Sequence, residues 1–270
     1  MVTSCIYLPF GRLARREHTR STSDTVQSRG AAVAHKIDWA SDKVGDMKIG
    51  IFGTGIVGQT LAEALAAKGH DVMIGTRDPQ ATLQRESTRG SSFKDWHGRN
   101  RSVKLGTFAD AAGFADAIIN ATSGDGALAA LEGAGADALG DKIMLDLSNP
   151  LDFSKGFPPT LTVCNTDSMA EVLQRAFPRV RLVKTLNTTT AALMVNPEAV
   201  GGGDHTMFVA GNDAGAKTTV KGWLGEWFGW RDVLDLGDVT NARGLEMLLP
   251  IWTRLYGALG TPMFNFKIVR

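Results

Sequence analysis

The chain has 270 residues, 43% of them hydrophobic, with 29 basic and 28 acidic side chains and a net charge of +1. That suits one large globular domain, alone or with a small appendage, and leaves no case for a nucleic-acid binder or for attachment to an acidic membrane surface. Cys5 and Cys164 lie far apart without C-x-x-C or His/Cys spacing, which fits a reducing, cytoplasmic setting and argues against a structural metal; no apolar run approaches the roughly 20 residues that span a bilayer.

Residues 1–46 differ from the rest. Arg12, Arg15, Arg16, Arg20 and Arg29 alternate with Ser, Thr and Gln, and no periodic apolar pattern appears. With so little to bury against the entropy of ordering, a disordered extension or an upstream start is expected, Met47 being a natural beginning for a folded chain. An Arg- and Ser-rich start also resembles a transit peptide, against which Glu17 and Asp24 count.

From Met47 to Arg77 the pattern is strand, glycine turn, helix, strand. Lys48 to Phe52 is an apolar strand, followed by Gly53-Thr54-Gly55-Ile56-Val57-Gly58 as G-x-G-x-x-G. Val57, Leu61, Ala64, Leu65 and Lys68 return to one helix face, Gly69 ends the helix, and Asp71 to Ile74 is the second strand. A bare glycine fingerprint is weak, but here both flanking elements are present. Gly53 permits the tight turn, Gly55 lets a pyrophosphate approach the backbone, and Gly58 lets helix and strand pack closely. The helix N-terminus offers N–H groups and partial positive charge. At the end of the second strand, Thr76 and Arg77 are donors suited to a ribose 2′-phosphate, which favours NADP over NAD; Asp78 could reach a 2′-hydroxyl only if the loop curls back.

Pro79 to Arg101 is polar, with an irregular helix expected around Ala81–Arg85; Trp96 and His97 read there as surface packing. Strands are expected at Val103–Phe108, Ala117–Ala121, Lys142–Leu147 and Arg181–Leu186, with helices at Phe108–Phe114, Ala127–Leu139 and Met169–Ala176. This alternation makes an α/β, doubly wound, mostly parallel sheet. Ligands of such folds lie at strand ends, which brings Ala121, Thr122, Ser148, Asn149, Pro150, Asn187 and Thr188 into consideration; turn chemistry accounts for either asparagine equally well.

Gly201-Gly202-Gly203 precedes a strand and lacks the Lys-Ser/Thr of a phosphate loop, so a flexible link is expected. Thr206–Ala210 is a strand, Asp213 caps a helix carrying Trp223 and Trp227 at core spacing, and Val233–Leu236 is an edge strand. Asn241–Leu259 is apolar on nearly every side, which suggests a subunit partner, with a kink at Pro250; Arg243 and Glu246 read as a surface ion pair on it.

Taken together, M-K-I-G-I-F-G-T-G-I-V-G (47–58), G-T-R (75–77), D-L-S-N-P (146–150), V-K-T-L-N-T (183–188), L-D-L-G-D-V-T-N-A-R-G-L-E (234–246) and F-N-F-K (264–267) resemble the NADP-dependent oxidoreductases of the deazaflavin coenzyme F420. The nucleotide domain is also similar to that of pyrroline carboxylate reductases. The resemblance covers Met47 to the C-terminus. It implies a Rossmann (dinucleotide-binding) domain over 47–200, a small C-terminal portion over 201–270 that helps form a homodimer, and a nicotinamide beside coenzyme F420 or a flavin in one cleft. It implies that Gly53, Thr54, Gly55 and Gly58 hold the pyrophosphate, that Thr76 and Arg77 hold the 2′-phosphate, and that Asn149, Pro150 and Asn187 line the cleft; Ile56, Val57, Ala121, Thr122 and Ser148 are further candidate cofactor-binding residues.

Two departures stand out. Relatives commonly add a basic residue just after the arginine, where this chain has Asp78-Pro79-Gln80-Ala81, and a proline at the end of the fourth strand, where it has Thr122-Ser123-Gly124. Hydride transfer between stacked rings needs no acid or base side chain, in keeping with the lack of a strand-end His or paired carboxylates. The function expected is hydride transfer between NADP(H) and a flavin-like small-molecule acceptor; reduction of a small imine or carbonyl compound, or non-catalytic NADPH sensing, are the alternatives.

Overall fold

Short, wholly apolar runs belong in a sheet covered on both faces, and the centre of this one is built from them. A computed structural model describes residues 47–86 and 92–270; the expected extension over 1–46 lies outside the described residues. The described residues lie in one compact unit. In chain order the strands are β1 (Lys48–Phe52), β2 (Asp71–Thr76), β3 (Lys104–Thr107), β4 (Ala117–Asn120), β5 (Ile143–Asp146), β6 (Leu151–Asp152), β7 (Thr160–Leu161), β8 (Arg181–Thr185), β9 (Thr206–Ala210) and β10 (Asp232–Asp235). Among the described residues eight of them form one sheet in the order β10-β9-β8-β5-β4-β1-β2-β3, while β6 and β7 form a small antiparallel pair.

All neighbours in the large sheet are parallel except β8 and β9, so β9 and β10 run against the rest. β1 pairs with β2 on one side and with β4 on the other, and Ile51 aligns with Ile74 and Ile119. The chain therefore changes direction across β1, which opens a crevice beyond the C-terminal ends of β1 and β4.

Helices α1 (Ile56–Ala67), α2 (Pro79–Gln84), α3 (Phe93–Arg99), α4 (Phe108–Phe114), α5 (Gly124–Ala134), α6 (Ala136–Leu139), α7 (Met169–Ala176), α8 (Ala191–Val195), α9 (Ala214–Trp223), α10 (Ala242–Met247) and α11 (Leu249–Leu259) complete the fold. On one face Ile49, Ile51 and Ile74 pack with Leu61 and Leu65 of α1 and with Trp227; on the other, Phe52 and Ile118 pack with Ala111, Leu131 and Leu173. Each such aliphatic side chain contributes about 1.5–3 kcal/mol of burial.

Three expectations need correction. Trp96 is not surface packing: α3 opens with a capping box between Ser92 and Asp95, which buries Phe93 and Trp96, and the indole donates to Glu63 Oε2 at 3.3 Å. At seven residues α3 is too short to show a helical period in sequence. The one helix expected over Asn241–Leu259 is two, α10 and α11, which meet beside the proline at Leu248, itself still right-handed helical, and Pro250 lies in the first turn of α11 where its missing N–H costs nothing. Gly201 to Gly203 form a 3-10 turn, all three at positive φ, with Gly203 buried. The tryptophans of α9 do pack as expected: Trp223 and Trp227 stack at 4.7 Å, in a helix that continues as a π turn over Leu224–Phe228.

Candidate active site

The turn after β1 is shaped by contacts that only glycine allows. Gly53 has φ +117°, and a Cβ there would lie 2.6 Å from the Ala121 carbonyl oxygen. A Cβ on Gly58 would lie 2.1 Å from the Gly53 carbonyl oxygen. Gly55 differs, since a Cβ there would meet nothing within 4 Å; its bare backbone faces the crevice. Gly55 is also the N-cap of α1, with no side chain capping it and no acidic residue in the first turn, so the helix end presents N–H groups and positive potential outward. A pyrophosphate fits this arrangement.

The crevice has two halves that meet at Gly55, Ala121 and Thr122. The first, about 530 Å³, is lined by Gly53, Thr54, Thr76, Arg77, Thr82 and Arg85 among others. The hydroxyls of Thr76 and Thr82 lie 2.9 Å apart in a buried pair. Asp78 Oδ1 accepts the Ala81 N–H at 3.0 Å and so caps α2. That use of the carboxylate leaves the rim to the cations Arg77 and Arg85. Arg85 is the contributor missing from the sequence reading: it follows α2 and donates to Thr54 Oγ1 at 2.9 Å. Neither guanidinium is ion-paired with a described carboxylate. The position just after Arg77 lacks a basic residue, and a second cation reaches this half-cleft from the far end of α2.

The second half, about 370 Å³, is more apolar: Ile56, Val57, Leu147, Leu151 and Phe153 line it with Asn149, Thr122, Ser123 and one charged residue, Asp125. Ile56 is 72% and Phe153 57% exposed, so this half has an apolar rim.

Five residues named from sequence lie behind these walls. Gly58 packs under Gly53. Pro150 is buried against α5, where Gly124 comes so close that a Cβ would lie 2.7 Å from the Pro150 Cα. Ser148 is buried and donates to Asp146 Oδ1 at 2.8 Å. Asn187 is also buried; its Nδ2 donates to Asn149 Oδ1 at 2.9 Å and to the Leu245 carbonyl at 3.1 Å, while Asn149 Nδ2 donates to the Asn187 carbonyl at 2.9 Å. The two asparagines hold one another across β5 and β8. Leu186, at φ +58° and fully buried, is the strained residue that turns Asn187 into this pairing. Thr188 is buried with no partner for its hydroxyl among the described residues.

Beneath the second half lies an ionic cluster that replaces the expected surface pair. Arg243 reaches α7, where it binds Glu171 through two hydrogen bonds of 2.8 and 2.6 Å, while Glu246 is buried and pairs with Lys184 at 2.8 Å. Lys184 is fully buried; it also donates to Asp146 Oδ2 at 2.9 Å and to the Ser148 carbonyl. Burial alone pulls the Lys184 ammonium down, but Asp146 and Glu246 outweigh it and hold its pKa above the ordinary lysine value. Asp146 Oδ1 accepts from Asn120 Nδ2 at 2.8 Å, and Asn120 Oδ1 accepts from Thr122 Oγ1 at 2.7 Å, so the network ends on the crevice wall.

A larger open cleft, about 810 Å³, lies at the N-terminal end of β8 between Glu171, Arg175, Arg179 and Asn212. It shares no lining residue with the crevice at the glycine turn, and two of its charged residues pair with groups outside its lining, Arg175 with Asp167 and Glu171 with Arg243. Among the described residues no group of His, Cys, Asp and Glu could hold a metal ion, and no helix is long and apolar enough to cross a membrane.

The model of the NADP oxidoreductase, coenzyme F420-dependent, family matches residues 48–150. A crystal structure from Arthrobacter sp. FB24, named provisionally as an F420-dependent NADP-reductase, is 55% identical, with a TM-score of 0.79, and the match covers 83% of this chain and 100% of that one. The chain belongs to the F420-dependent NADP oxidoreductase family. Family membership makes it an NADP-dependent oxidoreductase. The rat metalloreductase STEAP3 is 29% identical over 213 residues, 76% of this chain, and the chain spans only 38% of that protein's length. A reductive aminase from Aspergillus terreus, 17% identical with a TM-score of 0.55 over 80% of this chain and 63% of that one, shares the fold. The fold is thus the doubly wound sheet expected, with helices also at the C-terminal end.

Proposed function

We propose that this protein transfers a hydride between NADP(H) and the ring of a flavin-like acceptor, a deazaflavin first among them. The observation that carries this reading is the two-part cleft: a cationic half with Arg77 and Arg85 joins, across the bare backbone of Gly55, an apolar half flanked by Ile56, Leu151 and Phe153. Arg77 and Arg85 would hold the 2′-phosphate, with Thr54 fixing Arg85 through its hydroxyl. The end of α1 would hold the pyrophosphate. When bound, the nicotinamide supplies the hydride chemistry. Thr122 and Asn149 would orient that end of the cofactor, each restrained by a hydrogen bond to a buried asparagine. Ile56, Leu151 and Phe153 would shed water from the reacting faces.

The C-terminal part fits a second copy of the chain. Ile251, Tyr256 and Leu259 of α11 are exposed, as are Phe153 and Phe157, and the Phe157 ring meets Tyr256 edge-on at 6.1 Å. A homodimer that covers this face would enclose the acceptor half of the cleft. The test is an acceptor screen with NADPH, covering a deazaflavin, flavins and small cyclic imines. Turnover with the flat rings supports the proposal; turnover with imines alone, or tight NADPH binding without turnover on any acceptor, contradicts it.

A further inference from the structure

Beneath the acceptor half of the cleft, three charged side chains lie where water does not reach. Lys184 is fully buried and ion-paired with both Asp146 and Glu246. Asp146 accepts from Asn120 Nδ2, the Ser148 N–H, Ser148 Oγ and Lys184; Glu246 accepts the N–H groups of Met169 and Ala170 and from Lys184. The partners of Glu246 are all N–H groups that only donate, and among those of Asp146 only the Ser148 hydroxyl could also accept. One cation and two carboxylates leave an excess negative charge. The N-terminus of α7, where Met169 and Ala170 donate, offsets part of it. The adjacent Arg243–Glu171 pair is neutral in sum.

A buried ionic group of this kind is rarely retained for stability, since apolar residues would pack as well. Its connections point elsewhere. Asp146 reaches Thr122 on the cleft wall through Asn120 alone, and Lys184 holds the Ser148 carbonyl, one residue before Asn149. No described hydrogen bond links it to Arg77, Arg85 or Thr54. The negative charge is therefore two hydrogen bonds from the half-cleft assigned to the nicotinamide and remote from the 2′-phosphate half.

We propose that the Asp146–Lys184–Glu246 cluster sets the redox preference of the cleft, favouring the cofactor form whose nicotinamide ring is cationic over the neutral reduced form. This rests on the cleft being an NADP(H) site. A negative group held in a low-dielectric floor acts on the one charge that distinguishes the two forms, and so makes bound NADPH the stronger hydride donor. Lys184, Asp146 and Glu246 are positioning residues, since none touches the cleft itself.

The test measures dissociation constants for NADP⁺, NADPH and 2′,5′-ADP on the wild-type chain and on Glu246→Gln and Asp146→Asn, each of which removes the excess charge. The expected result is a rise of about three- to tenfold in the Kd ratio of NADP⁺ to NADPH, the effect of a unit charge at intermediate dielectric, with 2′,5′-ADP affinity unchanged. Equal weakening of NADP⁺ and NADPH would reduce the cluster to a structural role and overturn the proposal. Should both variants fail to fold, the wild-type ratio decides: a preference for NADPH of more than about threefold contradicts it, and its absence supports it. Failure of the wild type to bind 2′,5′-ADP would instead overturn the assignment of the cleft.

Discussion

Arg85 gives the sharpest prediction, because only the folded chain brings it to the cleft. Arg85→Ala removes one of two cations from the 530 Å³ half-cleft and leaves Thr54 Oγ1 without its 2.9 Å donor. A charge-assisted hydrogen bond contributes about 1.5–3 kcal/mol when sheltered. Arg85 is exposed, so screening brings this to about 1–2 kcal/mol, roughly a five- to thirtyfold loss. The loss should fall on NADPH and spare NADH, which lacks the 2′-phosphate. Arg77→Ala should behave alike, and the double variant should depart from additivity by about 0.5 kcal/mol or more if both groups grip one phosphate. The assay is kcat/KM for NADPH and NADH across the four proteins, with 2′,5′-ADP affinity measured by calorimetry. Equal losses for the two cofactors would refute the assignment of Arg85 as a phosphate reader.

Gly58→Ala forces a Cβ to within 2.1 Å of the Gly53 carbonyl oxygen, a backbone atom that cannot step aside. It should destabilise the fold by about 1–3 kcal/mol and weaken NADPH binding at least about tenfold; a wild-type Tm and Kd would contradict this. Hydrogen bonds from Arg243, more than its charge, hold the Glu171 carboxyl below its ordinary value of 4.5 despite partial burial. A depressed folded-state pKa contributes stability above the unfolded value and loses it as pH falls through the folded one. Glu171→Gln should therefore be less stable than wild type at neutral pH, with the gap closing in urea titrations taken below 4.5; a constant gap refutes the ion-pair account. Ile251→Glu, on the exposed face of α11, should convert a dimer to a monomer by light scattering, and a monomeric wild type would contradict the proposed interface.

The sheet was legible because its strands are apolar runs separated by helical periods, and because Gly53 to Gly58 fall between an apolar strand and a helical period. The cationic half of the cleft was half legible. Thr76 and Arg77 sit where the second strand ends, but Arg85 comes after α2 and no spacing rule ties it to a phosphate. Trp96 was misjudged because α3 is short and its neighbourhood polar, although Ser92 and Asp95 are a capping pair three residues apart. The ionic cluster joins Asp146, Lys184 and Glu246 from separate elements, so pairing Arg243 with Glu246 on one helix was a local answer to a long-range question. A signal was present: Lys184 interrupts the apolar run after Leu182-Val183 in a central strand, and Asp146 ends another, where a buried charge needs partners.

The central claim, that the cleft passes a hydride from one bound ring to another, is most directly tested by stopped-flow oxidation of NADPH on the purified chain with a deazaflavin acceptor. The expected result is loss of NADPH absorbance matched one to one by acceptor reduction, with NADH a poor substitute. NADPH that binds tightly and stays unoxidised with deazaflavin and flavin alike would contradict it.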